Sequence, residues 1–278
     1  MHNKVKPKTL YKLRSWSNQD KKIQANHRML LEENKLWVPV ASDLNDPFDC
    51  SIPFRFDLMR DDEFQVRVER ILAEANPSIQ PAELTIAARQ LGKGSDLRDP
   101  ARRFEALKRL AWAYADTHGI LSFTTIRDDP LLWSHYANCH KGFCIGFDYD
   151  RLSIVLDRFL HMTGVPSPGR WIDYVKEMPV IIPCNDDGAD VDAYLRLLTI
   201  KSDHWNYEKE YRYVFSRWKD EALEFDASCV SEVILGSKIS DQDRDEIPII
   251  VRERFPGAKL LQAHKKQFAF ELEFTPLD

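Results

Sequence analysis

The spacing of hydrophobic residues changes along the chain, and each change predicts a different kind of element. Apolar and polar residues alternate over 9–16, which predicts a strand, and a helix capped by Ser17 or Asn18 is predicted to follow it. Hydrophobic residues then recur every three or four positions in three stretches of 57–117, which predicts three amphipathic helices. We interpret 57–117 as a helical insertion in a single domain that spans 1–278.

The second half of the chain is richer in predicted strands. Four of them lie over 119–124, 142–148, 211–215 and 230–235, and apolar residues alternate in 142–148 and 211–215. A fifth is predicted over 268–274, and helices are predicted over 130–138 and 241–254. Because strands and helices do not alternate regularly, the sequence favours an α+β fold with a mixed, mainly antiparallel sheet over a βαβ array.

Composition narrows the class of protein. Of the 278 residues, 44% are hydrophobic and 30% are charged, so a substantial core is expected and disorder is not. The 39 Lys and Arg against 44 Asp and Glu give a net charge of −5, which disfavours a generally basic nucleic-acid binder but not a local basic groove. No apolar run approaches the ~20 residues that cross a bilayer, so no membrane partner is expected. The five cysteines are odd in number and widely spread, so a disulfide framework is not expected and the reducing cytoplasm is the expected location of the protein.

Two clusters of polar and aromatic residues lie in or near predicted strands of the two halves. Lys12 and Arg14 share one side of the first strand, where two cations could hold a phosphate or could simply face solvent. In the second cluster, hydroxyls could bond a ribose and rings could stack on a base or nicotinamide, although packing explains the same pattern. Its members are Ser122, Thr124, Trp133, His135 and Tyr136.

A third cluster combines acids with aromatic neighbours. Glu208 and Glu210 are two residues apart, so in a strand both would face one site, and Arg212 would continue that side and pair with Glu210. Carboxylates shielded by rings could hold a sugar hydroxyl or stabilise a developing cation. An exposed ladder of charges is the alternative.

Other candidate chemistry is weaker. In the loop 45–49, Asn45 and Asp46 could face a substrate, although an Asx turn before Pro47 explains them as well. The histidines and cysteines of 135–144 lack the close pairs that are typical of zinc sites, so no metal is expected. The chain has no GxxxxGK[ST] loop, GxGxxG turn or GxSxG elbow.

Several of these segments together resemble the DUF2971 family of uncharacterised bacterial proteins. The matching stretches are Leu10-Tyr11-Lys12, Asn45-Asp46-Pro47-Phe48-Asp49, Leu132-Trp133-Ser134-His135-Tyr136-Ala137, Lys141-Gly142-Phe143, Gly146-Phe147-Asp148, Trp205-Tyr207-Glu208-Glu210-Arg212 and Val233-Ile234-Leu235-Gly236. The resemblance spans about 9–240, apart from the helical insertion and 157–200. The family name supplies no activity.

A more distant likeness is to toxin-type ADP-ribosyltransferases, which carry an Arg on an early strand, a Ser-Thr-Ser-like strand and a Glu-x-Glu. Arg14, Ser122-Phe123-Thr124 and Glu208-Lys209-Glu210 stand here in that order, with Phe123 departing from the pattern. The resemblance implies a split sheet and NAD as co-substrate, with Arg14 on the diphosphate and Ser122 supporting the pocket. It also implies that Glu210 binds the nicotinamide ribose and stabilises the oxocarbenium ion, and that Glu208 orients or deprotonates the acceptor. Tyr136 would stack on nicotinamide, and we assign Lys12 and Arg212 to the same cofactor-binding site.

The expected function is therefore NAD-dependent ADP-ribosyl transfer to a protein or nucleic-acid acceptor, as a toxin or anti-phage effector. One alternative is a non-catalytic ligand-binding or interaction module, in which Lys12, Arg212 and the two glutamates form a structural charge network. Another is a Mg²⁺-dependent nuclease, which would need Asp46 and Asp49 to meet Glu208 and Glu210.

Overall fold

The structure is a computed structural model that describes residues 5–162, 169–183, 193, 195–216 and 218–277. Within these ranges the helices are α1 (Lys21–Glu32), α2 (Asp61–Ala75), α3 (Pro81–Lys93), α4 (Arg103–Ala115), α5 (Pro130–Tyr136), α6 (Tyr149–Met162) and α7 (Asp241–Arg254). The strands are β1 (Thr9–Arg14), β2 (Lys35–Val38), β3 (His118–Thr124), β4 (Phe143–Asp148), β5 (Arg170–Trp171), β6 (Asp173–Val175), β7 (Ile200–Ser202), β8 (Glu210–Ser216), β9 (Glu221–Glu224), β10 (Val230–Leu235), β11 (Lys259–Lys265) and β12 (Leu272–Pro276).

Eight of the strands form one mixed sheet in the order β12-β11-β10-β4-β1-β3-β8-β5. Neighbouring strands are antiparallel except β10 and β11, which are parallel. The short strands β2 and β9 pair with each other, as do β6 and β7. The α+β fold class with a mainly antiparallel sheet, expected from the irregular order of elements, is confirmed.

The two faces of the sheet carry different side chains because neighbouring residues of a strand point to opposite faces. We call the face that bears Leu10, Phe123 and Tyr213 the large-core face, since these residues pack with buried leucines of α1 and α6 and with Ile247 and Val251 of α7. The opposite face carries a smaller core built from Leu13, Cys144 and Ile234 with Leu132 and Trp133 of α5, and we call it the α5 face.

The chain divides into two compact units. The first comprises Met1–Val40, Thr117–Ile172 and His204–Asp278, and it contains the eight-stranded sheet. The second comprises Ala41–Asp116 and Asp173–Asp203. The three helices predicted within 57–117 are confirmed as α2, α3 and α4, and they belong to this second unit together with flanking residues on both sides.

Several local predictions need correction. The N-terminal cap of α1 is Asp20, whose carboxylate accepts from the main-chain N–H groups of Lys22 and Ile23. The C-terminal strand begins only at Leu272, because the chain turns before it and leaves Phe268 and Phe270 exposed at 98% and 103%. The two longest elements that were not predicted are α6 and β11. None of the described helices has the length and apolar character needed to cross a membrane.

Candidate functional site

The strands β1 and β3 separate soon after they meet. They share one register position, Tyr11 opposite Thr124, whereas β1 and β4 share six. Beyond that position a side chain joins the two strands, since the ammonium group of Lys12 donates to the main-chain oxygen of Ser122 at 2.8 Å. Lys12 is only 6% exposed, and its Nζ atom lies 5.1 Å from the centre of the Phe123 ring. The solvent-facing alternative for Lys12 is therefore wrong.

Three basic side chains gather at this separation. Lys12 and the half-buried Arg14 share the large-core face of β1, and His27 of α1 is hydrogen-bonded through Nδ1 to Ser15 Oγ at 2.8 Å. Burial and the charge of Arg14 hold the pKa of Lys12 well below its usual range. Burial lowers the pKa of Arg14 to about 10, and burial with the charges of Arg14 and Lys12 lowers the pKa of His27 to about 3. Two like charges, the buried Lys12 and the half-buried Arg14, have thus been placed close together, which is costly without a bound anion.

The low pKa of His27 makes stability depend on pH. The folded protein takes up the imidazole proton only near pH 3, whereas the unfolded chain takes it up near the ordinary pKa of 6.5. The unfolded state therefore binds more protons in between, and the free energy of unfolding should fall as pH is lowered from about 6.5. We expect His27→Gln to reduce this pH dependence, measured by urea unfolding at pH 7 and pH 5. Equal pH slopes in the two proteins would show that folding does not lower the pKa of His27.

The two candidate acids do not share a strand, in contrast to the sequence-based prediction. Glu208 ends a 3-10 turn that spans Asp203–Glu208, and β8 begins at Glu210. Between them Lys209 has a φ of 44°, the left-handed conformation that breaks the strand. Both acids are nevertheless buried at 4% exposure, so the exposed charge ladder is excluded.

The left-handed Lys209 offers a local test of this turn. A β-branched side chain is strained at that φ, so Lys209→Val should lower the free energy of unfolding by about 1–2 kcal/mol. Lys209→Gly should leave it nearly unchanged, since glycine adopts positive φ without strain. Chemical unfolding of both variants measures the difference. Equal stability of the valine and glycine variants would show that the turn does not hold this conformation.

Each acid has a specific partner. The hydroxyl of Tyr136 donates to Glu208 Oε1 at 2.5 Å, and the hydroxyl of Thr124 donates to the main-chain oxygen of Glu208 at 2.6 Å. The Nε atom of Arg212 donates to Glu210 Oε1 at 2.7 Å, which confirms the predicted ion pair. Arg212 is 1% exposed, so this pair is almost completely enclosed.

The rings of α5 divide into two roles. Trp133 is 0% exposed, donates from Nε1 to the carbonyl of Arg127 at 2.7 Å and stacks on His140. It is therefore a packing residue, and its assignment as a cofactor-stacking ring is corrected because no face is open to a ligand. His135 is exposed, and its ring contacts the rings of Tyr136, Trp205 and Tyr207 at centroid distances of 6.2–6.3 Å.

The structure brings these groups together only in part. The register places Ser122, Thr124, Glu210 and Arg212 on the α5 face, opposite to Lys12 and Arg14. At the separation of β1 from β3 the Lys12 side chain reaches the main-chain oxygen of Ser122, a residue whose side chain lies on the α5 face. Ser122 is opposite Arg212 in the register of β3 and β8, and Arg212 pairs with Glu210. Thr124 and Tyr136 both donate to Glu208, so hydrogen bonds connect Lys12, the Tyr136 ring and the two acids through β3.

Asn45 and Asp46 belong to the second unit. Asp46 is buried, and its Oδ1 accepts from the main-chain N–H of Phe48 at 2.9 Å, which confirms the Asx turn. Their role at a substrate stays a prediction. Among the described residues, no three His, Cys, Asp or Glu are grouped so that they could hold a metal ion.

Sequence reasoning did not find Ser15 and His27 as members of the site. No short motif marks them, since His27 stands in the apolar stripe of α1 and Ser15 follows the strand. Comparisons with protein families, with curated proteins and with solved structures find no match to this chain. The resemblances to the DUF2971 family and to ADP-ribosyltransferases therefore stay predictions.

Proposed function

We propose that the chain cleaves NAD and transfers ADP-ribose to a protein or nucleic-acid acceptor. One observation carries the proposal: Lys12 of β1 donates to the carbonyl of Ser122, which is opposite Arg212, the partner of Glu210, and Tyr136 donates to Glu208 in the turn just before β8. The ADP-ribosyltransferase resemblance expects a cation, a ring and an acid from these same three segments of the sequence.

The acids suit the transfer step. The bond between the nicotinamide nitrogen and the anomeric carbon breaks, its electron pair leaves with nicotinamide, and positive charge develops on the ribose. The carboxylate of Glu210 would stabilise that charge, and burial strengthens the interaction because water does not screen it. Glu208, which Tyr136 holds by a hydrogen bond, would accept the proton of the nucleophile as it bonds to the anomeric carbon.

The basic side chains of β1 are suited to binding the diphosphate of NAD. Lys12 and Arg14 lie on one face of β1, and burial together with repulsion from Arg14 lowers the pKa of Lys12. A diphosphate between them would offset that repulsion and accept charge-assisted hydrogen bonds. Positioning the diphosphate fixes the ribose relative to the acids, which is the main requirement for this transfer.

A second candidate is a structural charge network without catalysis. The enclosed ion pair of Glu210 with Arg212 favours it, because a carboxylate that already has a buried cation is satisfied without substrate. The two candidates differ in what a ligand does. NAD should raise the melting temperature only if the site binds it.

The test uses NAD labelled at the adenylate phosphate, incubated with the purified protein and a cell lysate. We expect label to enter macromolecules, and its loss on protease or nuclease treatment identifies the acceptor class. Absence of labelling, of nicotinamide release and of any thermal shift by NAD would leave the structural network as the better account. As part of this proposal we assign the protein to the cytoplasm, as a toxin or anti-phage effector.

A further inference from the structure

His27 is a half-buried titratable group that the proposed transfer step does not use. Its ring is fixed at the end of β1, because Nδ1 is hydrogen-bonded to Ser15 Oγ and Ser15 follows Arg14 directly. Asn18 supports this position by donating from Nδ2 to the same Ser15 oxygen at 3.3 Å. A helix residue has thus been locked beside the two cations of the strand.

We propose that His27 is a third ligand of the diphosphate and that it takes up a proton from solvent when the diphosphate binds. This inference rests on the proposed function, since it concerns the dinucleotide of the same site. It adds a residue from α1 to a site otherwise built from strands and α5.

The surroundings of His27 explain why the proton is absent before binding. The charges that act on it are those of Arg14 and Lys12, both positive. Acids of α7 have other partners: Glu246 accepts from Trp16 Nε1 and pairs with Arg28, and Asp243 accepts from the hydroxyl of Ser17. Within α1, Glu32 also pairs with Arg28.

A bound diphosphate would place negative charge near the His27 ring, where the nearby charges are otherwise positive. Its two negative charges favour the imidazolium form, as any nearby opposite charge does. The imidazolium has two N–H groups, so Nδ1 can donate to Ser15 while Nε2 donates to a phosphate oxygen. The proton comes from water or buffer, and no bond is formed or broken in the ligand.

The probe is ADP-ribose, because its diphosphate is a diester with no group that titrates near neutral pH. Calorimetric binding at pH 6 in buffers of different ionisation enthalpy gives the number of protons taken up. We expect about 0.5–1 proton per ADP-ribose, and an affinity that rises up to about tenfold for each unit by which pH is lowered from 7 to 6. In His27→Gln both effects should vanish and affinity at pH 6 should fall about tenfold.

Controls separate His27 from other groups. His264→Gln removes an exposed histidine of β11 and should keep the full proton uptake. Should His27→Gln not fold, His27→Asn keeps a side-chain amide near the Nδ1 position. Uptake that persists in the His27 variants, or that vanishes only in Lys12→Met, would overturn the inference. Binding without proton uptake in the native protein would overturn it while leaving the proposed function intact, and absence of ADP-ribose binding would overturn both.

Discussion

Glu210→Gln is expected to lower the rate of nicotinamide release from NAD by about 10²–10³-fold, because a neutral amide does not stabilise the positive charge of the oxocarbenium ion. The fold should persist, since the glutamine oxygen can still accept from Arg212 Nε. The rate is measured by chromatography of free nicotinamide at saturating NAD, with circular dichroism on the same samples. Glu210 is the most informative single position in the proposal.

A matched control is available on β9. Glu224 is an exposed carboxylate of the same unit, and Glu224→Gln should keep the native rate. A Glu210→Gln protein that folds and releases nicotinamide at the native rate would remove Glu210 from the transfer step. A protein that loses melting temperature and shows no response to NAD would favour the structural charge network.

The second large effect concerns stability. Arg212→Met should lower the free energy of unfolding by about 3–5 kcal/mol, because the substitution removes one member of a buried ion pair and keeps the buried carboxylate of Glu210. Chemical unfolding measures this loss. Arg244→Met is the control, since Arg244 is exposed on α7 and its removal should change stability by less than about 0.5 kcal/mol.

The double variant Glu210→Met, Arg212→Met tests the cause. The double variant removes the buried carboxylate together with the buried cation, so it should be more stable than Arg212→Met alone. Additive losses would show that the two side chains act through separate contacts. The double variant should also lack nicotinamide release, which connects the stability of the pair to the proposed activity.

Hydrophobic periodicity predicted most elements of the first unit because their apolar side chains recur on the faces that pack into its two cores. The strand 9–16 and the helix 241–254 were recognised for this reason, and α7 tolerates Pro248 inside it. The helix α6 was missed although its leucines recur at helical spacing, because it follows β4 with no loop residues between them. The strand β11 was missed because its centre carries Gln262, whose side-chain amide donates to the main-chain oxygens of Leu235 and Gly236.

The candidate site was predictable by residue type but not by geometry. Sequence spacing placed Glu208 and Glu210 on one side of a strand, since alternation assumes extended backbone at Lys209. The left-handed conformation of Lys209 depends on long-range pairing, because the hydroxyl of Thr124 donates to the Glu208 carbonyl across the sheet. The burial of Lys12 likewise follows from the separation of two strands that are far apart in sequence.

The central claim is that one dinucleotide contacts the cations, the ring and the acid of the first unit. A crystal structure of the Glu210→Gln variant with NAD tests it most directly, because slowed cleavage preserves the ligand. The account predicts the diphosphate at Lys12 and Arg14, the nicotinamide ring against Tyr136 and the ribose hydroxyl at residue 210. NAD bound elsewhere, or density without NAD at saturating concentration, would contradict it.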